Sequence, residues 1–137
     1  MKKWILHIVC LFLVVLDSMA QPVVRTVAPD KAVTVGEPFR IQFVVENSNS
    51  NQRFSASNLS GLKIIRGPEV YSGSQFIKGK KTEITNYVYT VVAYKTGTYK
   101  INSATVKLKG LTFYGNEFLI GIRKNQLLHP IEIIFLF

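Results

Sequence analysis

Alternation of apolar and polar residues dominates the chain after residue 30. In "EPFRIQFVVEN", Phe39, Ile41, Phe43 and Val45 point one way, while Arg40, Gln42 and Glu46 point the other. That period of two predicts a half-buried strand, with Val44 the exception to the alternation. "NSNSNQ", Asn47 to Gln52, is too polar for anything but a loop, and "LKII", Leu62 to Ile65, forms the next short strand. Gly67-Pro68 follows directly. Proline cannot donate to a ladder and biases its predecessor away from helix, so the expectation is a strand that breaks or steps to another sheet there. Val70 to Phe76 then resumes an extended pattern, and Lys78 to Lys81, "KGKK", reads as a hairpin turn in which Gly79 supplies a positive φ.

The longest strand is Thr82 to Tyr94, with Tyr87, Tyr89, Val91 and Ala93 on one face and Val88, Thr90 and Val92 on the other. Covering on both faces places it centrally in a sheet. "KTG", Lys95 to Gly97, turns into a segment where Tyr99 and Ile101 alternate with Thr98 and Lys100. Ala104, Val106 and Leu108 alternate with Thr105, Lys107 and Lys109, and a last hairpin is expected around Gly115-Asn116, with Phe118, Ile120 and Ile122 inward. Some seven short strands with turn signals about every ten residues predict an antiparallel immunoglobulin-like β-sandwich over residues 21–123. Inward Phe, Ile, Val and Tyr, at roughly 1.5–3 kcal/mol each, supply its core.

The two ends differ from this pattern. Lys2 and Lys3 precede the apolar run Trp4 to Leu16, and Ser18-Met19-Ala20 places small residues at −3 and −1 of a cleavage site, so residues 1–20 read as a signal peptide. The run is short for a membrane span, which needs about 20 residues. Cys10 lies within it behind a bulky Val9, which argues against a lipid attachment site. At the other end, residues 124–137 form an irregular apolar tail, expected to be the ragged end of a truncated or frameshifted reading frame, with an edge strand packed on the sandwich as the alternative; Ile131 to Phe137 is too short to span a bilayer.

Charge and chemistry narrow the function. Removing Lys2, Lys3 and Asp17 from 17 Lys+Arg and 8 Asp+Glu leaves 15 against 7, about +8. Cys10 is the only cysteine, so the expected mature chain has no thiol to cross-link or to sense redox state. After cleavage Asp30 is the only aspartate and His129 the only histidine. A zinc site needs three or four convergent ligands, and a Ser-His-Asp triad would have to join opposite ends of the chain. Glu37, Glu46, Glu69, Glu83 and Glu117 sit at turns or on outward faces. No catalytic group, metal site or cofactor site is expected. The basic turn Lys78, Lys80 and Lys81, with Tyr71, Ser72 and Ser74 nearby, is the candidate interaction surface. Basic charge beside aromatics suits an anionic polymer, and export makes nucleic acid an improbable one.

Three segments together carry a family resemblance. "VTVGEPFRIQFVVEN" from Val33 places a glycine, an acid and a proline before alternating hydrophobics. "FSASNLSGLKIIRGPEVYSGSQFIKGKKTEITNYVYTVVAYKTGTYKI" from Phe54 runs through a strand ending in Gly-Pro, Ser-rich residues, an "I-x-G-K" turn, a Tyr-x-Tyr strand and a Lys-x-Gly-x-Tyr turn. "INSATVKLKGLTFYGNEFLIGI" from Ile101 closes the series. In this order they resemble the N-terminal domain of BatD, the aerotolerance or oxygen-tolerance family of Bacteroidetes and related bacteria, over roughly Val23 to Arg123. The resemblance implies a non-catalytic scaffold of the Gram-negative periplasm or cell envelope. Its members carry several β-sandwich domains and a membrane anchor, and are encoded beside von Willebrand A-type proteins and a MoxR-type ATPase. It thereby implies von Willebrand A-type partners and a role in oxygen or stress tolerance. An exported binding module for an anionic glycan or surface polymer is the alternative.

Overall fold

The computed structural model describes residues 20–48 and 50–125, together with Lys3. The expected signal segment and apolar tail, with Cys10 and His129, lie outside the described residues apart from Lys3, Ala20, Lys124 and Asn125. Among the described residues the chain forms ten strands: β1 (Val23–Val27), β2 (Val33–Thr34), β3 (Phe39–Glu46), β4 (Arg53–Ser55), β5 (Lys63–Ile77), β6 (Lys80–Val92), β7 (Gly97–Ile101), β8 (Thr105–Leu108), β9 (Leu111–Tyr114) and β10 (Phe118–Arg123). A four-stranded sheet, β1-β3-β6-β5, packs against two three-stranded sheets, β2-β10-β7 and β4-β8-β9. All pairs are antiparallel except the short one in which Ile122 and Arg123 of β10 lie beside Val33 and Thr34 of β2. The architecture is the all-β sandwich that the alternation predicts.

The core follows from the same alternation. Phe39, Ile41, Phe43 and Val45 of β3 meet Ile101, Val106, Ile120 and Ile122 from the facing sheets, and Tyr89 and Val91 join them from β6. Aromatic rings stitch the layers together. Phe54 stacks on Tyr87 at 3.8 Å between centroids, and Phe43 meets Phe54 at 5.8 Å and Tyr89 edge-on at 5.9 Å. Val44 is buried too, on the opposite face of its strand. As expected, β6 is central, paired with β3 on one side and β5 on the other.

Where the chain changes sheet, specific groups hold the corner. Val35 N–H donates to Arg123 O in one sheet and Gly36 N–H to Ala93 at the end of β6, so the "VGEP" step bridges the layers. Between β6 and β7, Tyr99 Oη donates to Lys95 O at 2.7 Å. A tyrosine hydroxyl reaching back to the backbone just upstream of its strand is the corner device of immunoglobulin-like sandwiches. Gly61, at φ +83, makes room for it, since a Cβ there would lie 2.8 Å from the Tyr99 ring.

Two expectations are corrected. The strand does not break at Gly67-Pro68, and no sheet switch occurs there. β5 runs fifteen residues on one partner, and the Gly-Pro step is absorbed by register shifts between Ile64 and Arg66 and between Arg66 and Glu69. Such bulges are where an edge strand accommodates proline, which has no ladder hydrogen to lose on its free side. Nor does Gly115-Asn116 close a hairpin. The hairpin is one turn earlier, at Lys109-Gly110 between β8 and β9 (φ +50 and +78), and Gly115-Asn116 carries the chain across to β10 in another sheet. Its groups fasten β1 instead: Asn116 Oδ1 accepts from Thr26 N–H at 2.8 Å, and Asn116 O accepts from the buried Thr26 hydroxyl at 3.0 Å.

Candidate functional site

The candidate surface residues all fall on one supersecondary unit, the hairpin of β5 and β6. Ile77 pairs with Lys80 across a two-residue turn in which Lys78 and Gly79 both adopt positive φ, +52 and +76. That is the primed turn whose twist matches flanking strands. Lys78, Lys80 and Lys81 are exposed around this tip.

The period of two separates the remaining candidates. Ser72 and Ser74 lie on the core-side face, where Ser72 Oγ is 3.4 Å from Thr85 Oγ1 and Ser74 Oγ donates to Glu83 Oε1 at 2.8 Å. Tyr71 projects from the opposite face, so the three side chains diverge although all three residues border one depression. Tyr71 instead joins a group that the sequence reading left out. Its hydroxyl donates to Glu69 Oε2 at 2.7 Å, and Arg66 Nε approaches Glu69 Oε1 at 2.8 Å. The hydrogen bond from Tyr71 chiefly, with the Arg66 and Arg40 charges, holds the Glu69 carboxyl below its ordinary range. The same bond and the carboxylate charge raise the Tyr71 phenol. The signal for this group was in the sequence: Glu69 and Tyr71 are two apart on a strand and so share a face.

Beside it, Tyr71, Ser72, Gly73, Ser74, Gln75, Ile84, Asn86, Val44 and Arg25 border a shallow depression of about 360 Å³. Asn86 Nδ2 donates to Gln42 Oε1 at 2.7 Å while its Oδ1 has no partner. Open to solvent and lined mostly by polar side chains, this face suits contact with another macromolecule better than enclosure of a small apolar ligand. Among the described residues no group of three or more His, Cys, Asp or Glu comes together to hold a metal, and no helix is long and apolar enough to cross a membrane.

The larger feature is the edge of the four-stranded sheet. Among the described residues β5 is its last strand and pairs only with β6, so no described strand takes the other side of its backbone. Ile64, Ile65, Val70, Tyr71 and Phe76 along it are exposed apolar or aromatic side chains. The alternation did not reveal this, because an edge position depends on strand order.

Fold and surface together define an immunoglobulin-like sandwich domain with an open edge and a basic hairpin tip. Residues 26–122 match the family model described as the BatD DUF11 like domain, a span from within β1 to within β10. The chain belongs to the BatD family. No curated protein and no solved structure matches it.

Proposed function

We propose that this domain is a non-catalytic interaction module of the cell envelope. In this reading it serves a BatD-type assembly with von Willebrand A-type proteins that contributes to tolerance of oxygen or other stress. The observation that carries the reading is the family match across the whole sandwich. The β5–β6 hairpin supports it, since it presents an open edge, Tyr71 and three lysines on one projecting element. The test is recovery of co-encoded von Willebrand A-type proteins with a full-length family protein that contains this domain. Recovery is expected, and replacing Lys78, Lys80 and Lys81 by Glu is expected to reduce it. Failure to recover any such partner with the unaltered protein refutes the reading.

The exposed lysine tip and the charge estimate of about +8 favour a second reading, an exported module that binds an anionic glycan or surface polymer. Its affinity then falls steeply as salt rises and when the three lysines become serine. Affinity indifferent to both refutes it.

A further inference from the structure

The free edge of β5 carries a symmetry of its own. From Val70 to Phe76 the residues read Val-Tyr-Ser-Gly-Ser-Gln-Phe, with matching serines on either side of Gly73 and an apolar residue at each end. This stretch contains no charge and no proline, the two residue classes that ordinarily blunt an exposed edge. Charges appear only outside it, Glu69 on one side and Lys78 on the other. Val70 is 54% exposed, Tyr71 57% and Phe76 79%. In a chain this rich in lysine, the second half of this edge is left unguarded.

The turn fixes which backbone groups are free. In a two-residue hairpin the closing pair, here Ile77 and Lys80, exchanges both ladder bonds, so Gln75, Gly73 and Tyr71 also bond inward to β6. Val70, Ser72, Ser74 and Phe76 therefore point their N–H and C=O groups outward. The other side of β6 agrees: Glu83, opposite Ser74, turns its carbonyl away from β5 to accept from Ser48 N–H at 3.1 Å.

We propose that a second copy of this chain pairs antiparallel along β5, about a two-fold axis through Gly73, fusing two four-stranded sheets into one of eight strands. Only a register centred on a residue keeps like faces together under such an axis, and Gly73 is the centre that pairs all four outward residues, Val70, Ser72, Ser74 and Phe76, with one another. Ser72 then exchanges ladder bonds with Ser74 of the second copy, and Val70 with Phe76. Tyr71 lies opposite Gln75, and Gly73 opposite its own symmetry mate. Glu69 falls beside Ile77 and next to Lys78 of the other copy, so the flanking charges are of opposite sign. The proposal deepens the reading of the β5–β6 hairpin as an interaction element and rests on it. The copy takes the edge, while Lys80, Lys81 and the Tyr71 face remain for other partners.

The test is cysteine cross-linking and sedimentation of the full chain in a Cys10→Ser background. Gly73 pairs with itself as a non-hydrogen-bonded pair, with Cα atoms about 4.5 Å apart, within disulfide range. A Cβ at Gly73 meets nothing within 4 Å, so Gly73→Cys is tolerated. Under mild oxidation Gly73→Cys is expected to form a covalent dimer. Gln75→Cys alone is not, because its mates lie roughly 13 Å apart, but mixed with Tyr71→Cys it is. Ser74→Pro removes an outward N–H and leaves the β6 ladder intact, so it is expected to sediment as a folded monomer. A parent chain that sediments only as a monomer, or Gly73→Cys that cross-links no faster than Gln75→Cys, overturns the proposal. A monomer that still recovers von Willebrand A-type partners refutes the dimer alone, and a dimer that recovers none refutes the partner reading alone.

Discussion

Replacing Gly67 by alanine tests the account of β5 most directly. Gly67 sits at φ +118, and a Cβ there would lie 2.6 Å from Val88 O and 3.0 Å from Tyr89 Cα. Both neighbours are backbone of the central strand β6, so neither can swing aside as a side-chain tip would. The backbone conformation alone costs an L-residue about 1–3 kcal/mol. Relieving the contact means lifting β5 from β6 at the bulge, and losing one ladder bond adds about 1 kcal/mol. The sum, about 3 kcal/mol, is a large share of the roughly 5–15 kcal/mol that holds a domain folded. Urea unfolding followed by tryptophan-independent far-UV circular dichroism measures it, and Tm falls by roughly 10–20 °C. Gly73→Ala is the control. Its φ is ordinary and its Cβ meets nothing, so it changes stability by less than about 1 kcal/mol, in the stabilising direction through the unfolded chain. If Gly67→Ala unfolds within about 0.5 kcal/mol of the parent, close approach of β5 to β6 is not what the glycine serves.

Tyr99→Phe removes the hydroxyl bonded to Lys95 O, and a loss of about 1 kcal/mol in denaturant unfolding is expected. Gly61→Ala drives a Cβ into the Tyr99 ring and destabilises in the same assay, and combining it with Tyr99→Ala relieves the penalty, as a double-mutant cycle shows. Tyr71→Phe takes away the hydrogen bond that most depresses Glu69, so carbon-detected NMR titration finds the Glu69 midpoint moved up. The sign for stability follows: the lowered carboxyl contributes above its unfolded value, near 4.5, and that contribution disappears as pH falls through the folded pKa. Glu69 lies at the surface and is only half-buried, so solvent screens its charge and the midpoint rather than the melting temperature is the readout.

The strands that were legible in the sequence are those with an unbroken row of apolar residues facing the core. β3 and β6 alternate cleanly because Phe39, Ile41, Phe43, Tyr89 and Val91 all face one core. β1 escaped because its inward positions are Val24 and Thr26, and a buried threonine interrupts the hydrophobic rhythm until Asn116 is seen to satisfy it. β2 and β4, two and three residues long, are too short to show a period. The misplaced hairpin has a similar cause. Lys109-Gly110 and Gly115-Asn116 both offer turn residues, and only the pairing of Leu108 with Leu111 decides between them. At the candidate surface, the lysine tip could be read from composition and spacing. The open edge could not, since it follows from strand order, and Glu69 acquires its role only when the face it shares with Tyr71 is considered.

The fastening of Thr26 to Asn116 bears on the order of events during synthesis. These residues are 90 apart in the chain, and a ribosome adding about 5–20 residues per second needs roughly 5–18 s to pass from one to the other. Sandwiches rich in such distant pairings fold in milliseconds to seconds once complete. Delivery of the chain, by synthesis and then by export in the reading proposed above, rather than the search for the native state, therefore sets when β1 finds its last partners, and the chain is held open until Asn116 arrives.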